Sequence, residues 1–200
     1  MVGWIVLGGA ILLFRAGVGS YPFAELYATK VVPSFPDFPD MPALFQFTFN
    51  SPIGIPPAAA LGIRSEGAYD LMCVGFFVLF AIATGWLIHR RWGLQSAAAV
   101  GVAFVGSQAA VVCLYWLGSY DVFAVGLSSM LVVVRNRWAA GAIGFLLAFA
   151  AFEQGMLIVL MLLALCVVRM HDGVPSLLAC GAGLVAGRIL LWRWLSSSGI

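Results

Sequence analysis

Thirty-one residues separate Arg137 from Arg169, and among them only Glu153 carries a formal charge. One helix of that length would measure about 46 Å at about 1.5 Å per residue, well beyond a bilayer core of about 30 Å. Two helices of about 15 residues each, turning at Glu153-Gln154-Gly155, fit better and bring Arg137 and Arg169 back to one side. The same punctuation recurs upstream. Forty-three residues lie between Arg91 and Arg135, broken at Gly118-Ser119-Tyr120-Asp121. Arg90, Arg91, Arg135, Arg137 and Arg169 then gather in three tight turns, which the positive-inside rule assigns to the cytoplasmic face. Trp92 and Trp138 directly follow arginines, at positions suited to an interfacial aromatic belt. Five further cations, Arg15, Lys30, Arg64, Arg188 and Arg193, fall toward the opposite face.

Composition names the medium. The chain is 63% hydrophobic and 9% charged, with a mean hydropathy of +1.06. Soluble domains run near half apolar and a quarter charged, so an integral membrane protein is expected. A net charge of +2, with no stripe of Lys and Arg, speaks against a nucleic-acid partner. Cys73, Cys113, Cys166 and Cys180 all lie in apolar segments and read as small core residues, not a disulfide framework or metal site. Two histidines, both on the arginine side, make a histidine metal centre an unsuitable reading. No cofactor is implied, and a divalent metal is left open.

The apolar segments are 4–19, 71–88, 94–117, 121–134, 138–152, 155–168 and 174–195. They predict an all-α polytopic bundle of about seven transmembrane helices, residues 1–200 forming a single transmembrane domain. The N-terminal run lacks a basic stretch and a small-residue cleavage site, so it reads as a retained first helix. The model is N-terminus in and C-terminus out, with one large outer loop, 20–67. That loop holds eight of the nine prolines and many aromatics. Proline excludes long regular elements there, and aromatics do not suit a solvated linker. It is expected to lie on the membrane surface or pack over the bundle, with a short helix over 23–32 and an extended segment over 45–50. Gly183 with Gly187, Gly101 with Gly106, and Gly141 with Gly144 are spaced to let helices approach closely.

On this topology the acids collect on the loop side: Glu25, Asp37, Asp40, Glu66 and Asp70 in the loop or at its edge, and Asp121 and Glu153 at two hairpin tips. Asp172 alone falls on the other side. Arg15 and Arg188 sit within apolar runs, where an ionisable group is costly and usually faces a cavity, a partner or a pathway. Plainer readings stand beside these. Asp121 and Glu153 also suit solvated turns, Asp37 and Asp40 suit turns between prolines, and arginines can snorkel to lipid phosphates. No G-x-x-x-x-G-K-[ST], H-E-x-x-H or G-x-S-x-G occurs.

The runs SPIGIPPAAALGIRSEGAYDL and LYWLGSYDVFAVGLSSMLVVVRNRWAAGAIGFLLAFAAFEQ resemble the membrane-embedded glycosyltransferases of the GT-C superfamily. The resemblance covers a first helix, an acidic outer loop, an outer turn with Asp121, a basic turn at Arg135 to Arg137, and a helix ending in Glu153-Gln154. The chain departs from the pattern at Glu153, where related enzymes often carry a basic residue. Family members also continue past seven helices, so a fragment, a minimal relative or an inactive one is expected. The resemblance implies inverting transfer of a sugar from a polyprenyl-phosphate carrier to an acceptor on the outer face, in a bacterial inner membrane. It implies Asp37 or Asp40 as general base and Arg15 and Arg188 near the phosphate. Asp121, Glu153 and Gln154 would contact sugar or acceptor. The partners are then a lipid-linked sugar donor, membrane lipids and possible partner membrane subunits. Two rival classes stay open: a structural or assembly subunit docking through its aromatic loop, and a small transporter.

Overall fold

The computed structural model describes residues 24–36, 52–115, 118–169 and 173–197, and among them every regular element is helical. The loop contributes an α–π–α run, Ala24–Leu26, Tyr27–Val31 and Val32–Ser34 (together α1). A 3-10 turn, Pro52–Gly54, leads into α2, Ile55–Ala60, where prolines occupy the first helical turn and need no N–H. Then come α3 (Glu66–Val105), α4 (Gln108–Tyr115), α5 (Asp121–Val133), α6 (Arg137–Ala150), α7 (Phe152–Arg169) and α8 (Val174–Ser197). Two of these, α3 and α8, are long and apolar enough to cross a membrane; α5, α6 and the apolar part of α7 are shorter. The expected first helix, 4–19, lies outside the described residues, as does the 45–50 segment.

Although α3 spans 40 residues, it is not one rod. At Gly93 the backbone takes φ 85° and ψ 173°, a conformation essentially closed to residues with a Cβ. The Phe77 and Phe104 rings are 6.0 Å apart, whereas a straight helix would separate them by about 40 Å. Val74 and Phe77 also pack with Ala110 and Leu114 of α4. The first arm, 66–92, therefore reverses at Gly93, and 94–105 with α4 returns beside it.

The remaining hairpins follow from pairwise contacts. Phe76 meets Phe123 at 4.9 Å, Thr84 and Ser129 share a hydroxyl hydrogen bond of 3.1 Å, and Arg91 Nη1 donates to the Val133 carbonyl at 3.4 Å. Both numbers rise together, so α5 runs parallel to the first arm of α3. Asn136 starts α6 by accepting from the Trp138 and Ala139 amides at 2.8 and 3.3 Å. The next reversal is at Ala151 (φ −163°), two residues earlier than the expected Glu153-Gln154-Gly155 turn. That places Glu153 in the first turn of α7, where a negative charge complements the helix dipole. Helices α6 and α7 have 14 and 18 residues.

The most extensive helix contact joins α6 to α8, and glycine makes it possible. A Cβ on Gly144 would overlap the Cys180 carbonyl, and one on Gly183 the Gly141 carbonyl. One on Gly187 would sit 2.7 Å from both the Ala148 Cβ and the Phe145 carbonyl. Gly183 and Gly187 thus face another helix, as their spacing predicts. Gly101 does not: no atom lies within 4 Å of its would-be Cβ, and Gly106 approaches only carbonyls of its own preceding turn. Both glycines are exposed.

Candidate functional site

These reversals give the bundle two ends. The loop end carries α1, α2, the start of α3, the Gly118–Asp121 turn, the Ala151 turn and the later part of α8. The arginine end carries Gly93, the 134–136 turn and the start of α8, which Ser176 Oγ ties to the Arg135 carbonyl.

At the loop end, α1 and α2 do not lie free on a surface. Ala24, Ala28, Val31, Ile55 and Ala58 are wholly buried, in one cluster with Tyr69, Cys73, Val122, Phe123 and Ala150. Tyr27 stacks near Tyr69 at 5.9 Å, and Phe35 meets Trp194 edge-on at 5.9 Å. The aromatics described in this part of the loop are thus spent inside the chain, not held out as a docking face. Pro52–Gly54 closes the layer: a Cβ at Gly54 would lie 2.6 Å from the Tyr69 hydroxyl.

Asp121 opens α5 and is half-buried. Its Oδ2 accepts from Ser119 Oγ at 2.8 Å, and its amide donates to the same hydroxyl at 3.2 Å. Ser119 is 4% exposed, so this local ring of bonds satisfies it within the turn. Tyr120, between them, has its phenol pKa raised, chiefly by burial and then by the negative charges of Asp121 and Glu153. Tyr120 also packs against the buried cluster that holds Ala150 and Ala151, at the α6–α7 reversal. Glu153 and Gln154 are both exposed. Arg188, half-buried on α8, places its guanidinium 5.3 Å from the centre of the Phe152 ring, beside the same tip.

Asp70 was not among the site residues expected from sequence. It sits at the start of α3 against the Gly118 turn: a Cβ on Gly118 would approach Asp70 Oδ1 at 3.0 Å and the Ala24 Cβ at 2.8 Å. Gly118 has φ 89°, so both space and backbone require glycine there. The signal was a small repeat. Gly-Ala-Tyr-Asp (67–70) and Gly-Ser-Tyr-Asp (118–121) open two parallel helices at one end. Arg15, Asp37 and Asp40 lie outside the described residues, as do His171 and Asp172.

The structure thus places Asp121, Tyr120, Glu153 and Arg188 at one end of the bundle, with Asp70 behind the Gly118 turn. Chemically this is a set of hydrogen-bond acceptors for hydroxyl groups beside one guanidinium able to meet an anion. Among the described residues no three His, Cys, Asp or Glu side chains gather as metal ligands. Cys73, Cys113 and Cys180 are buried and form no disulfide. No protein-family model matches the chain, and neither a curated protein nor a solved structure matches it.

Proposed function

We propose that this chain is a polytopic, inner-membrane enzyme of the glycosyltransferase type, moving a sugar from a polyprenyl-phosphate carrier to an acceptor at the loop end. The observation that supports it is the convergence of Asp121, Glu153 and Arg188 at the end to which the Asp37- and Asp40-bearing loop is anchored. Helices too short to span alone join α3 and α8 in about seven spans. In the reaction, a carboxylate of Asp37 or Asp40 takes the acceptor hydroxyl proton. The acceptor oxygen bonds the anomeric carbon as the bond from that carbon to the phosphate oxygen breaks, and polyprenyl phosphate leaves. Arg188 and Arg15 offset the charge on the departing phosphate. Asp121, Glu153 and Gln154 accept from sugar or acceptor hydroxyls and set their orientation.

The test is sugar transfer from a labelled polyprenyl-phosphate donor in membranes containing the full chain. Asp→Asn keeps the shape and removes proton acceptance, so the variant at the true base loses about 10²-fold or more in turnover. Asp37→Asn and Asp40→Asn are made singly and together. Unchanged transfer in the double variant removes both as base.

A further inference from the structure

One peptide pattern occurs twice in the chain and folds in two ways. Gly-x-Tyr-Asp-x-x-x-Val-Gly stands at 67–75 and again at 118–126. In the first copy α3 is already helical from Glu66, so Asp70 lies within the helix. In the second the helix begins only at Asp121, and Gly118, Ser119 and Tyr120 form a turn before it. A pattern that folds both ways leaves the choice to its surroundings.

For Gly118 the first copy supplies those surroundings. With φ 89°, Gly118 is outside the right-handed helical region. From the point where its Cβ would stand, the Ala24 Cβ of α1 is 2.8 Å away, Asp70 Oδ1 3.0 Å and Tyr69 Cδ1 3.5 Å. Gly118 and Ser119 are buried in this notch, and Asp70 Oδ1 is shielded from solvent. The tyrosine and acid of one copy are thus the wall against which the glycine of the other sits. About 9 Å further along α3, at about 1.5 Å per residue, Phe76 meets Phe123 at 4.9 Å and fixes the first turn of α5. Asp121 stands between these two contacts in sequence, and its carboxylate accepts from Ser119, a residue seated in the notch. The direction in which Asp121 points is therefore set by side chains on another helix.

We propose that Asp70 is a positioning residue: by seating the Gly118 turn against α3, it sets where Asp121 meets the sugar or acceptor hydroxyl. The inference rests on the transferase reading for what Asp121 does, and not for the contact itself. Asp70→Ala, Asp70→Asn, Asp121→Asn and the pair Asp70→Ala with Asp121→Asn are compared for sugar transfer from a labelled polyprenyl-phosphate donor, in membranes containing the full chain. Asp70→Ala opens the notch, and misplacing an orienting group is expected to lower kcat/KM on the order of 10²-fold. Asp70→Asn keeps the shape and an oxygen facing Gly118; it retains most of the native rate and is the check on folding. Residues that act as a unit are not additive, so once Asp121→Asn is in place Asp70→Ala costs less than about threefold further. Equal losses in Asp70→Asn and Asp70→Ala overturn the proposal, because Asp70 then acts through its charge. Losses that multiply in the pair overturn it as well, since the two residues then act independently. A second readout needs no transfer. Tyr120, within the turn, is titrated by phenolate absorbance as the difference from Tyr120→Phe. Asp70→Ala admits water to the turn and brings the phenol closer to its ordinary value, whereas Asp70→Asn leaves it where it was. An unmoved Tyr120 in Asp70→Ala overturns the positioning. Absence of transfer by the native chain overturns the transferase reading alone, and Tyr120 then decides whether Asp70 holds the turn.

Discussion

The loop end and the arginine end of the bundle hold their charges in opposite ways. At the loop end, Asp121 is tied into its own turn by Ser119, Asp70 lies against Gly118, and a layer of loop helix is packed over the first turns of α3 and α5. At the arginine end, guanidinium groups lie on exposed indole rings with no covering layer among the described residues. Satisfying a carboxylate locally lets it be buried at low cost. An arginine on a tryptophan needs no such enclosure, because its stem is shielded and its head stays wet. The difference suits one end to a shaped polar site and the other to meeting a headgroup layer.

The comparison breaks most completely if the two ends are not on opposite sides. Cysteines placed at Gln154 and at Trp138, both exposed, are expected to react with a membrane-impermeant maleimide from opposite faces. Labelling of both from one face would remove the hairpin at Ala151 and with it the separation of the ends.

The middle of the bundle, common to both ends, carries the next largest effect. Gly144→Leu drives a side chain into the Cys180 carbonyl of α8, which must move; the expected loss is about 3 kcal/mol or more. Gly101→Leu meets open space and is expected to change thermal stability in detergent by less than about 0.5 kcal/mol. Equal losses in the two variants would mean that α6 and α8 do not pack through these glycines.

That pair also marks what sequence could say. Glycine spacing is the same kind of signal at Gly101/Gly106 as at Gly183/Gly187, but spacing does not say which flank of a helix has a neighbour. The hairpins were legible because the apolar intervals between the arginines are too long for one helix across a bilayer core of about 30 Å. The position of the last reversal was not. Ala151 carries no turn signature, and the polar Glu153-Gln154 pair drew attention two residues downstream. Asp70 reads from sequence only as an acid at the loop's edge, because it borders an apolar run. Only the contact with Gly118 shows that it faces another helix's turn. Asp37, Asp40 and Arg15 rest on the resemblance alone.

A sharper contrast between the ends is available from the two turn glycines. Gly118 has φ 89° and Gly93 φ 85°. Alanine at either is strained by about 1–3 kcal/mol. At Gly93 nothing else opposes the methyl group, whereas at Gly118 it would press on Ala24 and Asp70. Gly118→Ala is therefore expected to cost more than Gly93→Ala and to loosen α1, read as faster amide exchange over 24–34. Equal costs, with exchange in α1 unaltered, would mean that the loop layer is not seated on this turn.

The smallest effect is a titration, and it tests the meeting of the two hairpin tips most directly. Tyr120 has a phenol pKa above its ordinary value, raised by burial and then by Asp121 and Glu153. The folded chain thus holds that proton more tightly than the unfolded chain does. Its contribution to stability is complete below the ordinary tyrosine pKa of about 10 and is lost as pH climbs through the higher folded value. Glu153→Gln removes one of the opposing charges, so the folded pKa should fall toward the ordinary one and the alkaline loss of stability should shrink. Tyr120→Phe, subtracted from the native titration of phenolate absorbance, isolates this residue from the other four tyrosines. Asp121→Asn should act in the same direction and more strongly, since its charge ranks ahead of Glu153 in raising the phenol. If Asp121→Asn moves Tyr120 and Glu153→Gln does not, the α7 tip stands away from the Gly118–Asp121 turn. The loop end then holds one acidic turn, and Glu153 belongs to solvent.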